Sequence, residues 1–77
     1  MIVPNKVIPF NESIVGKMPV ILKELKKEDI KLTELYLKVQ EDFEEIDEFI
    51  YSLEALFLLD AINVDFKKGV VKYVKRN

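Results

Sequence analysis

The chain contains neither cysteine nor histidine. The first absence excludes disulfides and thiolate metal sites and fits a reducing compartment. The second removes the commonest general base and, together with cysteine, the strongest transition-metal ligands. Glycine is confined to Gly16 and Gly69, so no glycine-rich, phosphate-cradling loop can be written. The only aliphatic hydroxyls are Ser13, Thr33 and Ser52. A serine–lysine pair is the one nucleophile arrangement left open, and no spacing supports it. No window approaches the roughly 20 apolar residues of a membrane span, and Met1 to Phe10 has no signal-peptide apolar run or small-residue cleavage site. Together these absences point to a cytoplasmic, non-enzymatic protein that begins at Met1, with no catalytic residue, cofactor, metal or membrane partner.

What remains is 77 residues, 49% of them hydrophobic and 34% charged. That length supports one small domain with a modest core, near the lower end of what folds without disulfides or a partner surface. It leaves no room for a deep catalytic cleft. The net charge of −2 hides a segregation. Glu41, Asp42, Glu44, Glu45, Asp47, Glu48, Glu54 and Asp60 run without an intervening cation, whereas Lys67, Lys68, Lys72, Lys75 and Arg76 follow with no acid after Asp65. Segregated charge bears on surfaces and partners, not on fold.

Read in order, residues 1–10 combine apolar side chains with Pro4 and Pro9. They read as an extended arm, with a short strand at Lys6 to Ile8. Ile14, Val15, Met18, Ile21, Leu22 and Leu25 then recur at the spacing of a helix with one buried stripe, capped by Asn11 or Ser13. Pro19 leaves two starts open, one near Lys17 and one at Ser13 with a bend. Ile30 reads as a strand-like bridge. Thr33 is the expected cap of a short second helix ending near Val39, with Leu35 and Tyr36 turned inward. Glu41 and Asp42 make a turn whose charge suits the N-terminal end of a third helix, read from Phe43 to Leu59. That helix is expected to bury Phe43, Ile46, Phe49, Ile50, Leu53, Leu56 and Phe57. A hairpin of Ala61 to Asp65 against Val70 to Tyr73 closes the chain, its turn helped by Gly69.

A long helix running straight into a short hairpin is the sign of a winged helix-turn-helix. The fold class is therefore α+β, with three helices, a C-terminal β-hairpin wing and an extended arm. The chain divides into the arm over 1–10, a helical core over 11–60, the wing over 61–74 and a tail over 75–77.

The third helix carries no Arg, Lys, Asn or Gln with which to read bases, and its carboxylates would meet phosphates. Three uses of the acidic cluster present themselves: a solvated face, a docking face for a basic partner, and a Mg²⁺ or Ca²⁺ site. Solvated is favoured over metal, since no calcium-loop spacing occurs. Glu44 and Glu48 share one side and are the candidates for charged steering. Lys67, Lys68 and Lys72 on the wing suit either phosphates or an acidic protein surface, or serve only to keep the tip soluble. Projection of the third helix centres its buried stripe on Ile46, Ile50, Leu53 and Phe57. Tyr51, Ala55 and Leu58 are left on a flank, with Tyr51 and Leu58 as apolar anchors for a partner unless the wing or arm covers them. The apolar arm packs on its own domain, exchanges with a twin in a homodimer, or adds to a partner's sheet.

Ile2-Val3-Pro4-Asn5-Lys6, the Ile14-to-Leu25 pattern, Leu35-Tyr36, and above all Phe49 to Ile62 carry a resemblance over nearly the whole chain. The sequence resembles the small middle component of ABC-three-component systems. That resemblance implies a bacterial or archaeal conflict (defence) system, in which an ATPase similar to chromosome-maintenance proteins works with an effector. The small winged-helix protein between them would be an adaptor. Members similar to this one commonly carry glycine between the long helix and the wing, where this chain has Asp60. The competing expectation is a DNA-binding transcriptional regulator that grips duplex DNA through the basic wing.

Overall fold

The computed structural model describes residues 12–74, with side chains from Ile14 onward. The arm over 1–10, its Lys6-to-Ile8 strand, Asn11 as a cap and the 75–77 tail lie outside the described residues. The described elements are α1 (Glu12–Leu25), β1 (Ile30–Lys31), α2 (Leu32–Val39), a 3₁₀ turn (Gln40–Asp42), α3 (Ile46–Leu58), β2 (Ile62–Asp65) and β3 (Val70–Tyr73). Three helices and a small antiparallel sheet make an α+β fold in the winged-helix arrangement, with α2 and α3 as the helix-turn-helix and β2–β3 as the wing.

Helix α1 takes the earlier of its two expected starts and runs through Pro19, so Ser13 lies within the helix and does not cap it. Proline deprives the carbonyl four residues back of its helical donor. Here that is Val15, and both Val15 and Pro19 are exposed, where solvent can reach the carbonyl. Val15 is thus a correction to the expected buried stripe, which Ile14, Ile21 and Leu25 do form.

Thr33 is not the cap of α2. The helix begins two residues earlier, at Leu32, with Lys31 at the cap position and no side-chain bond there. The N–H of Leu32 instead donates to the Gly69 carbonyl at 2.8 Å. A first-turn donor is thereby satisfied by the wing, which removes the need for a hydroxyl.

In the sheet the order is β1-β3-β2. Val71 sits at its centre, opposite Ile30 on one side and Val64 on the other, and is fully buried. The two-residue β1 thus anchors the start of the helix-turn-helix to the wing. At the hairpin tip, Asp65 Oδ1 accepts the N–H groups of Lys67 and Lys68, and Gly69 N–H donates to the Asp65 carbonyl at 2.7 Å. Gly69 has φ +66°, the left-handed conformation that only glycine adopts without a steric cost.

The core joins Ile21 and Leu25 of α1, Leu35 and Val39 of α2, Phe49 and Leu56 of α3, and Ile30, Ile62 and Val71 of the sheet, with Phe43 closing one end. Helix α3 departs most from expectation. It starts at Ile46, leaving Phe43 in the preceding turn, and its buried residues are Phe49, Ser52, Ala55 and Leu56. Ile46, Ile50 and Phe57, expected at the centre of the buried stripe, are 53%, 39% and 45% exposed. Ala55, expected on an outer flank, is completely buried. The reason lies in α1, which packs along α3. Ser52 and Ala55 are the small residues of the buried side, where Ile or Phe would overpack.

The C-terminal end of α3 explains Asp60. Ala61 N–H donates to the Leu56 carbonyl at 2.9 Å and Asp60 N–H to the Phe57 carbonyl at 3.1 Å. This pair of bonds is the Schellman motif, whose pivot residue is left-handed and usually glycine. Asp60 occupies that pivot with φ +59°. Aspartate is among the few side chains that tolerate the conformation, so the turn into the wing forms without glycine.

Candidate functional site

The second helix of a helix-turn-helix is the one that projects toward a target, so the outward side of α3 is the natural place for a site. Its entry is built from Lys17 of α1. The Lys17 ammonium donates to the Asp42 carbonyl, lies 5.4 Å from the centre of the Phe43 ring and stands 3.9 Å from Glu48 Oε1. That same carboxylate oxygen accepts the Glu44 N–H at 3.2 Å. Glu48 therefore ties the connection from α2 to the first turn of α3, where a negative charge also meets the positive end of the helix. One turn on, Ser52 Oγ donates to the Glu48 carbonyl at 2.9 Å, which satisfies the buried hydroxyl.

Phe49 fixes the other wall. Its ring meets Phe43 edge-on at 5.6 Å and Tyr36 of α2 at 4.9 Å. Helices α2 and α3 each pack on α1 and on the sheet, and they diverge on the outer side of this aromatic bridge. Between them lies an open groove of about 350 Å³, lined by Leu32, Thr33, Tyr36 and Leu37 on one side and Ile46, Phe49 and Ile50 on the other. Thr33, once expected as a cap, is the sole hydroxyl-bearing aliphatic in that lining. At about 100° per residue, Ile46, Ile50 and Phe57 fall within about 40° of one another, so the groove continues as an apolar stripe along α3. Apolar side chains held half in water in this way are the unusual feature of the surface.

Carboxylates border the stripe. Asp47 and Glu54 project beside it, and Glu41, Asp42, Glu44 and Glu45 are exposed around the entry to α3. Past Asp47 and Glu54 come Leu58, which is 56% exposed, and Tyr51, which is half-buried. Lys67 and Lys68 are exposed at the wing tip, and Lys72 points outward from β3 opposite Asn63. Of the residues expected to act from sequence, Glu44 and Leu58 stand on the outer surface, Glu48 is engaged within the chain, and the three lysines sit apart on the wing. The groove itself was missed. Its signal was the two-sided apolar character of α3, whose Ile46 and Ile50 were assigned inward.

Among the described residues, no three acidic side chains come together as a metal-holding group, and no helix is long and apolar enough to cross a membrane. No curated protein and no solved structure matches the chain. A family model does match, over residues 3–71, which takes in the described helices and the sheet as far as Val71. With that match over nearly its whole length, the chain belongs to the family of ABC-three-component (ABC-3C) system Middle Component 7.

Proposed function

We propose that this protein is a non-enzymatic winged-helix adaptor of the cytoplasm. In this reading it bridges an ATPase similar to chromosome-maintenance proteins and an effector in a bacterial or archaeal conflict system. One observation carries the reading. The helix that enters DNA in other winged-helix proteins here presents Ile46, Ile50 and Phe57 to solvent amid carboxylates, with no Lys or Arg between Lys38 and Lys67. Such a face repels phosphates and offers a protein the apolar anchors and charged rim of an interface. Membership of a middle-component family supports partners that are proteins. Steering of a basic partner falls to Glu44, Glu45 and Asp47, because Glu48 is held by Lys17 and the Glu44 N–H. Tyr51 and Leu58 form a second apolar pair across the acidic border.

The test is recovery of the tagged chain from its native host, with co-purifying chains identified by mass. An ATPase and an effector are expected, in amounts reduced by joint Tyr51→Ala and Leu58→Ala substitution. Recovery of the chain alone would count against bridging. The exposure of Lys67, Lys68 and Lys72 favours a second reading, a transcriptional regulator whose wing grips duplex DNA. Steeply salt-dependent duplex binding, abolished by Lys67→Glu with Lys68→Glu, would replace the adaptor with that regulator.

A further inference from the structure

The geometry points to one kind of occupant for the groove between α2 and α3: we propose that it takes an amphipathic α-helix of a partner protein, with apolar anchors along one face and Lys or Arg beside them. This rests on the adaptor reading and names the site and the chemistry through which it works.

The form of the ligand follows from the walls. All the lining residues lie within α2 or α3, so their backbone groups in the body of each helix are already bonded inside it. Apart from first-turn N–H groups, the groove offers side chains, and its helical walls hold no strand edge to which an extended peptide can add. An incoming segment must therefore satisfy its own backbone, which a helix does. The volume of about 350 Å³ has room for a few anchoring side chains, and the stripe through Phe57 extends the contact by further turns.

Charge sets the second half of the specificity. From Glu41 to Phe66 the chain has no cation, and Glu41, Asp42, Glu44, Glu45 and Asp47, all exposed, flank Ile46 along the chain at the start of α3. Lys38 of α2 projects by helical geometry on the far side from Leu32 and Tyr36, so the cation left beside the lining residues is the exposed Lys31, which precedes Leu32 in sequence at the α2 end. A flanking Lys or Arg on the incoming helix is attracted along this rim, and a flanking Glu is repelled. The same rim disfavours a second copy of this chain in the groove, because a symmetric contact through α3 would set carboxylates against carboxylates.

The probes are three synthetic peptides of about 18 residues, or five helical turns. One carries Leu at i, i+4, i+7 and i+11 among Lys and Ala; the second replaces each Lys with Glu; the third scatters the same Leu and Lys without a common face. Each is titrated against the full chain by fluorescence anisotropy, with backbone amide shifts locating the contact. The basic amphipathic peptide is expected to bind at least about tenfold more tightly than either control, about 1.4 kcal/mol. Its shifts should centre on α2 and α3. Joint Ile46→Glu and Ile50→Glu substitution, at exposed positions, should remove that preference while leaving the melting curve unchanged. Equal binding of the scattered peptide, or shifts centred on the wing, would overturn the proposal.

A second arm separates this inference from the adaptor reading. Partner chains recovered undiminished with the Ile46→Glu, Ile50→Glu variant would overturn the groove and leave the adaptor standing. Failure of the unsubstituted chain to recover any partner would remove both. A dimer seen in sedimentation and lost in the variant would put a second copy in the groove, and the proposal would fall.

Discussion

The two faces of α3 are both apolar, yet they meet different surroundings. The inner face carries Phe49, Ser52, Ala55 and Leu56, all buried; the outer face carries Ile46, Ile50 and Phe57, each more than a third exposed. Leu56 on the inside is as large an aliphatic as Ile46 or Ile50 on the outside. Hydrophobicity alone therefore does not select the face that turns inward. The selection comes from shape: the buried side of a helix that packs along α1 combines the small Ser52 and Ala55 with one large ring, Phe49, which meets Tyr36 of α2. The apolar residues left over become surface, the face to which the proposed partner helix would dock.

The largest effect that can break this comparison is at Phe49. Phe49→Ala removes the ring between Tyr36 and Phe43 and should cost about 3–5 kcal/mol, enough to unfold much of so small a domain, as read by denaturant melts. A loss below about 1 kcal/mol would mean that the inner face is not the core. Next comes Ala55→Leu, which replaces a small side chain with one as large as those on the outer face. The added bulk at this fully buried position should cost about 1–3 kcal/mol, while a neutral result would deny that this side of α3 is tightly packed.

Asp60→Gly sharpens the comparison at the end of the helix, where the turn fixes how α3 hands over to β2. Relief of the left-handed conformation should raise stability by about 0.5–1 kcal/mol, measured as a higher melting midpoint. A lower midpoint would show that the aspartate side chain stabilises the turn more than its backbone conformation costs. Smallest of all should be Phe57→Gln on the outer face, expected within about 0.5 kcal/mol of the parent although it removes an aromatic ring. If Phe57→Gln instead destabilises as Phe49→Ala does, the outer stripe is part of the core and the docking surface disappears.

Most of the fold was legible in the sequence, because periodicity and turn chemistry are local. The repeat of Ile14, Ile21 and Leu25 marked α1, the isolated Ile30 marked the bridging strand, and the run from Ile62 through Gly69 to Tyr73 marked the wing. Much less of the surface could be read. Thr33 has the chemistry of a cap, but Leu32 N–H is satisfied by the Gly69 carbonyl, a residue far along the chain. Glu48 has the spacing of a surface acid, but Lys17 from α1 reaches it. In each case a distant residue supplied the partner, and one sequence has no local sign of that.

The sequence by itself determined the element order, the α+β class, the acidic character of α3 and the basic character of the wing. It also supplied the family, through a pattern spread along the chain that the match over residues 3–71 establishes. These follow from residue order and composition, which act over a few turns. Only the tertiary structure decided which side of α3 faces water, that Asp60 takes the left-handed pivot of its turn, and that α2 and α3 part to leave a groove. Those depend on packing between elements distant in sequence, α1 against α2 and α3 and the helices against the sheet.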